Sequence, residues 1–234
     1  MNIIGFLMFK NKRFLSIIPA RAGSKRLPKK NVKDLAGKPL ISWSIESSID
    51  SKYIDATLVT SDCDEVLSIA NTYDIQAITR PSKLSTDTAK TLDVVFHAIE
   101  HIEENFDYIV LLQPTSPLRT SIHIDEAIEL LISKNANAVI SVGEMEHSPL
   151  WSNTLNETNS MEGFFDENVY KRSQELPTYY RLNGAIYICD ISELIKTRTY
   201  FLENNIFAYK MSRESSVDID DEIDFKFAEL LFDK

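Results

Sequence analysis

The 234-residue sequence predicts an α/β fold in which a mostly parallel sheet is flanked by helices. Three observations carry that expectation. Short apolar runs alternate with segments of helical period, as crossover connections between parallel strands require. One run, Tyr108 to Leu112, is continuously apolar, the pattern of a strand buried on both faces. The first run, Phe14 to Pro19, opens directly into a loop of small and basic residues, at the kind of strand end where open α/β sheets bind ligands.

The elements follow in order. After strand Phe14 to Pro19 and its loop, the turn Gly37-Lys38-Pro39 precedes a helix over Leu40 to Ile49. A strand over Ala56 to Thr60 follows, and Asp62 to Asp64 supply an N-cap for a helix carrying Val66, Leu67, Ile69 and Ala70. A short strand over Gln76 to Thr79 leads to a helix from Ala89 to Glu104, with Leu92, Val95, Phe96, Ile99 and Ile102 at helical spacing. Beyond the central strand, the prolines of Gln113-Pro114-Thr115-Ser116-Pro117-Leu118-Arg119 forbid immediate helix and make a rigid loop. A helix over Ile122 to Ile132 and a strand over Ala138 to Val142 complete this half. From Gly143 to Tyr180 the alternation is lost, which reads as an insertion. It resumes with a strand over Gly184 to Ile188, a helix over Ile191 to Ile195, a strand over Phe207 to Met211 and a last helix over Glu222 to Phe232.

Composition narrows the function. A formal charge of −10 argues against nucleic acid and anionic membranes as partners, so local basic clusters should serve small anions. No run approaches the roughly 20 apolar residues that span a bilayer. The apolar run Ile3 to Leu7 is followed, not preceded, by basic residues and makes a poor signal peptide, so Met1 to Phe6 read as an extension outside the fold. Cys63 and Cys189 stand far apart without metal spacing, as ordinary thiols of a reducing cytoplasm do.

Two segments carry chemistry. The loop after the first strand has five basic residues, Arg21, Lys25, Arg26, Lys29 and Lys30, among small ones, the make-up of a polyphosphate cradle. It lacks the Gly-Lys-Ser/Thr ending of a P-loop and the three spaced glycines of a dinucleotide fingerprint. Backbone N–H groups near Gly23 and Ser24 would form the cradle, Arg21 and Lys30 would supply charge, and Asn31 offers a donor and an acceptor. In the second segment, Ser216 to Asp221, Asp218 and Asp220 share one face of an extended stretch. They read either as ligands of a hard cation such as Mg²⁺ or as caps of the last helix. The four histidines make no zinc signature, and no pairing supports a covalent nucleophile.

The run Ile17 to Asn31, with Arg80-Pro81, Leu84 to Ala89, Leu112 to Arg119, Arg181 to Tyr187 and Ser216 to Asp220, resembles the acylneuraminate cytidylyltransferases, or CMP-sialic acid synthetases, in order along nearly the whole chain. The resemblance implies a nucleotide-sugar-transferase-like fold, and a homodimer in which a small inserted subdomain reaches toward the partner's active site. It implies Mg²⁺-dependent joining of CTP to a nine-carbon keto-sugar acid, a nonulosonic acid, with release of pyrophosphate. The chain then divides into an N-terminal extension (1–13), a catalytic α/β domain (14–142 and 181–234) and an inserted dimerisation subdomain (143–180). By motif, Arg21, Ser24, Lys30, Asn31, Arg80 and Thr91 are implied as nucleotide contacts. Gln113, Tyr187, Tyr200 and Phe201 are implied on the sugar side, and Asp218 and Asp220 as metal ligands. Arg21, Lys30 and Asp218 are the expected catalytic groups, although no residue declares itself as the general base.

Two departures fall in the insertion. Trp151 follows His147-Ser148-Pro149-Leu150 where some members have lysine, and Arg172-Ser173-Gln174-Glu175-Leu176-Pro177 sets Arg172 one place out of register. Both bear on sugar identity, and legionaminic acid and eight-carbon Kdo are the rival substrates. A nucleotide-sugar sensor without turnover is the rival from another class.

Overall fold

The computed structural model describes residues 11–232, so the extension expected over Met1 to Phe6 lies outside the described residues. Seven strands form one sheet: β1 (Phe14–Pro19), β4 (Ala56–Ser61), β5 (Gln76–Thr79), β6 (Tyr108–Leu111), β7 (Ala138–Glu144), β8 (Tyr180–Asp190) and β9 (Ile206–Met211). Their order is β5-β4-β1-β6-β8-β7-β9. All pairings are parallel except the two made by β8, which runs against both β6 and β7. The carboxyl ends of β1, β4 and β6 therefore share one edge with the amino-terminal half of β8. A two-stranded hairpin, β2 (Asp34–Leu35) and β3 (Lys38–Pro39), turns through Ala36 and Gly37, both at positive φ.

Helices α1 (Leu40–Ile49), α2 (Asp64–Asn71) and α4 (Ser121–Ser133) contribute to the core on one face of the sheet, which buries Phe14, Ile18, Ile45, Val110, Ile128 and Ile186. Helices α3 (Thr91–Ile99) and α5 (Ile191–Thr197) contribute to the other, around Leu15, Ile17, Val95, Leu111, Cys189 and Leu194. Inward residues of β1 alternate between the two cores, as the two-residue period of a strand dictates. A third core joins α6 (Glu222–Phe232) to Leu27, Leu35, Leu40, Val217 and Ile219.

Several expectations are corrected. Helix α3 ends at Ile99 rather than Glu104, since Glu100, Glu103 and Glu104 would crowd negative charge at the negative helix pole. The N-cap of α2 is Cys63 with no side-chain cap, and Asp62 instead accepts the Ala22 N–H at 2.8 Å. Strand β8 begins four residues earlier than expected, because Gly184 at φ +76 breaks its side-chain period without ending its pairing. Lys12 and Arg13 are tied to the fold: both donate to Asp107, from Nζ at 2.8 Å and from the backbone at 2.9 Å.

Between β7 and β8 lie three single turns of 3₁₀ helix, Pro149–Trp151, Glu167–Tyr170 and Ser173–Glu175. Residues 145–179 contribute no buried side chain to the three cores. Trp151 anchors the segment by donating from Nε1 to the Asn168 carbonyl at 3.0 Å. Leu155, Met161, Phe165 and Tyr170 remain exposed.

Candidate active site

Three strand ends meet at a cleft of about 510 Å³. From the loop after β1 it is lined by Arg21, Ser24, Lys30 and Asn31. Arg80 and Thr91 face it from the segment between β5 and α3, and Gln113, Thr115 and Asp220 close it. Eight of the twelve site residues that the resemblance implies thus line one cavity.

Polar contacts pin the loop. Asn31 Nδ2 donates to the Arg21 carbonyl at 2.9 Å, and Ser24 Oγ accepts the Leu27 N–H at 3.3 Å. Lys29 sits in the left-handed region at φ 55, and Lys30 then starts a short 3₁₀ turn. Four loop cations are paired with acids: Arg21 and Lys25 share Asp87 at 2.8 and 2.6 Å, Arg26 reaches Asp220 at 3.0 Å, and Lys29 approaches Glu65 at 3.5 Å. Lys25 and Arg21 hold the Asp87 carboxyl below its ordinary range.

Lys30 differs from the other loop cations. Its side chain is 11% exposed, its Nζ donates to the Ile219 carbonyl, and Asp220 Oδ1 lies 3.7 Å away. Burial lowers its pKa, with Asp220 and Asp218 opposing the shift. Arg80 is also buried. Its Nη2 donates to the Thr60 carbonyl at 2.8 Å, and burial lowers it to about 10.

The segment after β9 alternates. Val217 and Ile219 enter the third core, which turns Asp218 and Asp220 the other way. Capping falls to their neighbours: Asp221 Oδ1 accepts from Ile223 and Asp224, and Asp224 Oδ2 accepts from the Asp220 and Asp221 N–H groups. Asp218 and Asp220 are therefore spared that task. Among the described residues Asp218 Oδ1 is buried with no hydrogen-bond partner, and burial raises its carboxyl against the opposing pull of the Thr115 hydroxyl. Among the described residues no cluster of three or more acid, histidine or cysteine side chains is placed to hold a metal.

The Gln113 and Asp218 side chains both approach Gly184. A Cβ on that glycine would lie 3.6 Å from both Gln113 Oε1 and Asp218 Oδ2. The three aromatic residues do not line the cleft. Tyr187 lies near enough to Asp218 for its charge to add to burial in raising the phenol, and its ring meets Tyr200 at 5.8 Å and Phe201 at 6.4 Å. Tyr200 belongs to the core at 7% exposure, whereas Phe201 is 57% exposed.

Sequence reasoning missed the supports. Asn183, buried in β8, accepts from Ser141 Oγ at 2.6 Å and donates to Ser216 Oγ at 3.0 Å, fixing the start of the carboxylate segment. The Thr115 carbonyl accepts the Ile219 N–H at 2.8 Å. A polar residue inside an apolar strand was the available signal for Asn183. The Thr115 contact is made by backbone and leaves none.

A model of the cytidylyltransferases matches residues 15–233. The chain is 35% identical over 217 residues to an N-acylneuraminate cytidylyltransferase of Escherichia coli, covering 92% of this chain and 51% of that protein. It is 32% identical over 228 residues to a CMP-N,N′-diacetyllegionaminic acid synthase of Legionella pneumophila, covering 94% of this chain and 97% of that one. The chain thus spans about half the length of several curated relatives and nearly all of another. Among solved structures, a CMP:2-keto-3-deoxy-manno-octonic acid synthetase in complex with CTP superposes with a TM-score of 0.72 at 17% identity, over 94% of this chain and 98% of that chain, a likeness of fold.

Proposed function

The chain belongs to the cytidylyltransferase family, and from that premise we propose that it joins CTP to a nine-carbon keto-sugar acid of the N-acylneuraminate class and releases pyrophosphate. The observation that carries the reading is the contact of Lys30 with the Ile219 carbonyl, which joins the cationic loop to the Asp218/Asp220 segment at one cleft.

Arg21, Lys30, Arg80 and the loop N–H groups hold the triphosphate, with Ser24, Asn31 and Thr91 as further nucleotide contacts. Gln113 hydrogen-bonds the sugar acid, and beyond the cleft Tyr187 and the exposed Phe201 against its ring extend the sugar side, with Tyr200 packed in the core behind them. The sugar's anomeric hydroxyl attacks the α-phosphorus in line as pyrophosphate leaves, so the side chains act through positioning and charge neutralisation. Asp218 serves here as a charge beside Lys30, where it favours the ammonium form that holds phosphate.

The donor set suits Mg²⁺. That ion takes one or two carboxylates and completes its shell with water and substrate phosphates, and here a partnerless Asp218 oxygen stands near a cleft-facing Asp220. Bound between them, Mg²⁺ would supply charge neutralisation for the triphosphate.

Legionaminic acid is the second reading of the sugar, favoured by the near full-length match to the Legionella pneumophila synthase. The exposed apolar side chains of residues 143–180 support its assignment as the surface of a homodimer. Two free thiols, the buried Cys189 raised to about 12, fit a reducing cytoplasm. Among the described residues no helix is long and apolar enough to cross a membrane.

The reading is tested by Asp220→Ala. The variant should keep its far-ultraviolet circular dichroism and lose Mg²⁺-dependent pyrophosphate release from CTP and the sugar acid. Turnover near the wild-type rate overturns the metal assignment.

A further inference from the structure

Arg119 is 1% exposed and, among the described residues, makes no ion pair. Its Nη1 donates to two carbonyls, Gln113 and Ala185, each at 3.1 Å, and its Nη2 donates to Ser44 Oγ at 2.6 Å and Ser47 Oγ at 3.3 Å. Its Nε has no partner among the described residues. A buried guanidinium without a carboxylate is costly, and an apolar side chain would fill the space at lower cost. The fold accommodates it by placing serines 44 and 47 on the buried face of α1, where aliphatic side chains would otherwise pack.

The two carbonyls show what the fork does. Gln113 stands just past the end of β6, and Ala185 follows Gly184 in β8, the glycine that both the Gln113 and Asp218 side chains approach. One guanidinium nitrogen thus ties the loop after β6 to the middle of β8, beside the glycine those side chains approach. We propose that Arg119 is a positioning residue that fixes Gln113 against β8 and thereby sets affinity for the sugar acid. This rests on the reading of Gln113 as a sugar contact. Lysine offers a point charge and cannot reproduce the fork.

The test uses the full chain with CTP, Mg²⁺ and whichever of N-acetylneuraminate, N,N′-diacetyllegionaminate and Kdo the wild type turns over best. Arg119→Lys should raise KM for the sugar acid about 10-fold while KM for CTP stays within about 2-fold, a split that general loosening would not give. In a Gln113→Ala background the same substitution should add nothing, because its effect passes through that side chain. Equal rises for both substrates, or full additivity with Gln113→Ala, overturn the proposal. A Gln113→Ala enzyme with unchanged sugar KM overturns the reading of Gln113 itself, and the proposal with it. Should Arg119→Lys fail to fold, Ser47→Ala removes the 3.3 Å contact to Arg119 without removing any contact of Gln113 itself, and carries the same prediction at smaller size: sugar KM rises alone, and only while Gln113 is present.

Discussion

Lys30 and Ile219, 189 positions apart, are joined by a hydrogen bond from the lysine ammonium to the isoleucine carbonyl. The Ile219 N–H is meanwhile taken by the Thr115 carbonyl, and its side chain is fully buried against α6. The backbone of one residue therefore connects the loops after β1 and β6 to the carboxylate segment. Asp218 and Asp220 flank that fixed point on either side.

Lys30→Ala should lower kcat/KM for CTP by on the order of 10², the scale set by removing one preorganised charge-stabilising donor. Circular dichroism should remain that of the wild type, because the other loop contacts persist. Steady-state kinetics check this, and an unchanged kcat/KM takes Lys30 out of the site.

The pH profile follows from the same residue. Burial holds Lys30 below the ordinary lysine value of 10.5, and the ammonium is the form that binds phosphate. Activity should therefore fall as pH rises through a value below 10.5. The alkaline limb of kcat/KM, which reports the free enzyme, should vanish in a Lys30→Arg variant, since arginine keeps its charge.

Gly143→Ala tests the support of the carboxylate segment. The new Cβ would lie 2.7 Å from Ser216 Oγ, whose hydroxyl is held by Asn183 and by the Ser212 carbonyl and cannot swing aside freely. Thermal unfolding should show a loss of about 1–3 kcal/mol. Pyrophosphate release should fall as well, since Ser216 lies two residues from Asp218. Wild-type stability and rate together would contradict this.

Much of this arrangement is legible in the sequence. Alternating apolar runs place six parallel strands, and the basic loop and the Asp218/Asp220 pair are visible as residue types. The reversed direction of β8 is not legible, because strand polarity is decided by tertiary pairing and the insertion hides the connection. Arg119 could be read only as the end of a rigid loop, because its partners are backbone carbonyls and serines from distant elements. Tyr200 shows the converse limit: resemblance places it on the sugar side, while burial makes it equally a core residue.

Asp87→Asn should strengthen CTP binding at low salt. Asp87 occupies both Arg21 and Lys25 across the mouth of the cleft, so the triphosphate must displace it. The gain should shrink as added salt screens these exposed charges. Calorimetric titration at two ionic strengths measures it, and weaker binding in the variant would show that Asp87 assists the nucleotide instead.

The most direct test is pyrophosphate release with CTP, Mg²⁺ and N-acetylneuraminate, N,N′-diacetyllegionaminate or Kdo in turn. Rapid release with a nine-carbon acid, slower release with Kdo and none after chelation of the metal are the predicted results. CTP binding without turnover of any of the three would contradict the account and leave a nucleotide sensor in its place.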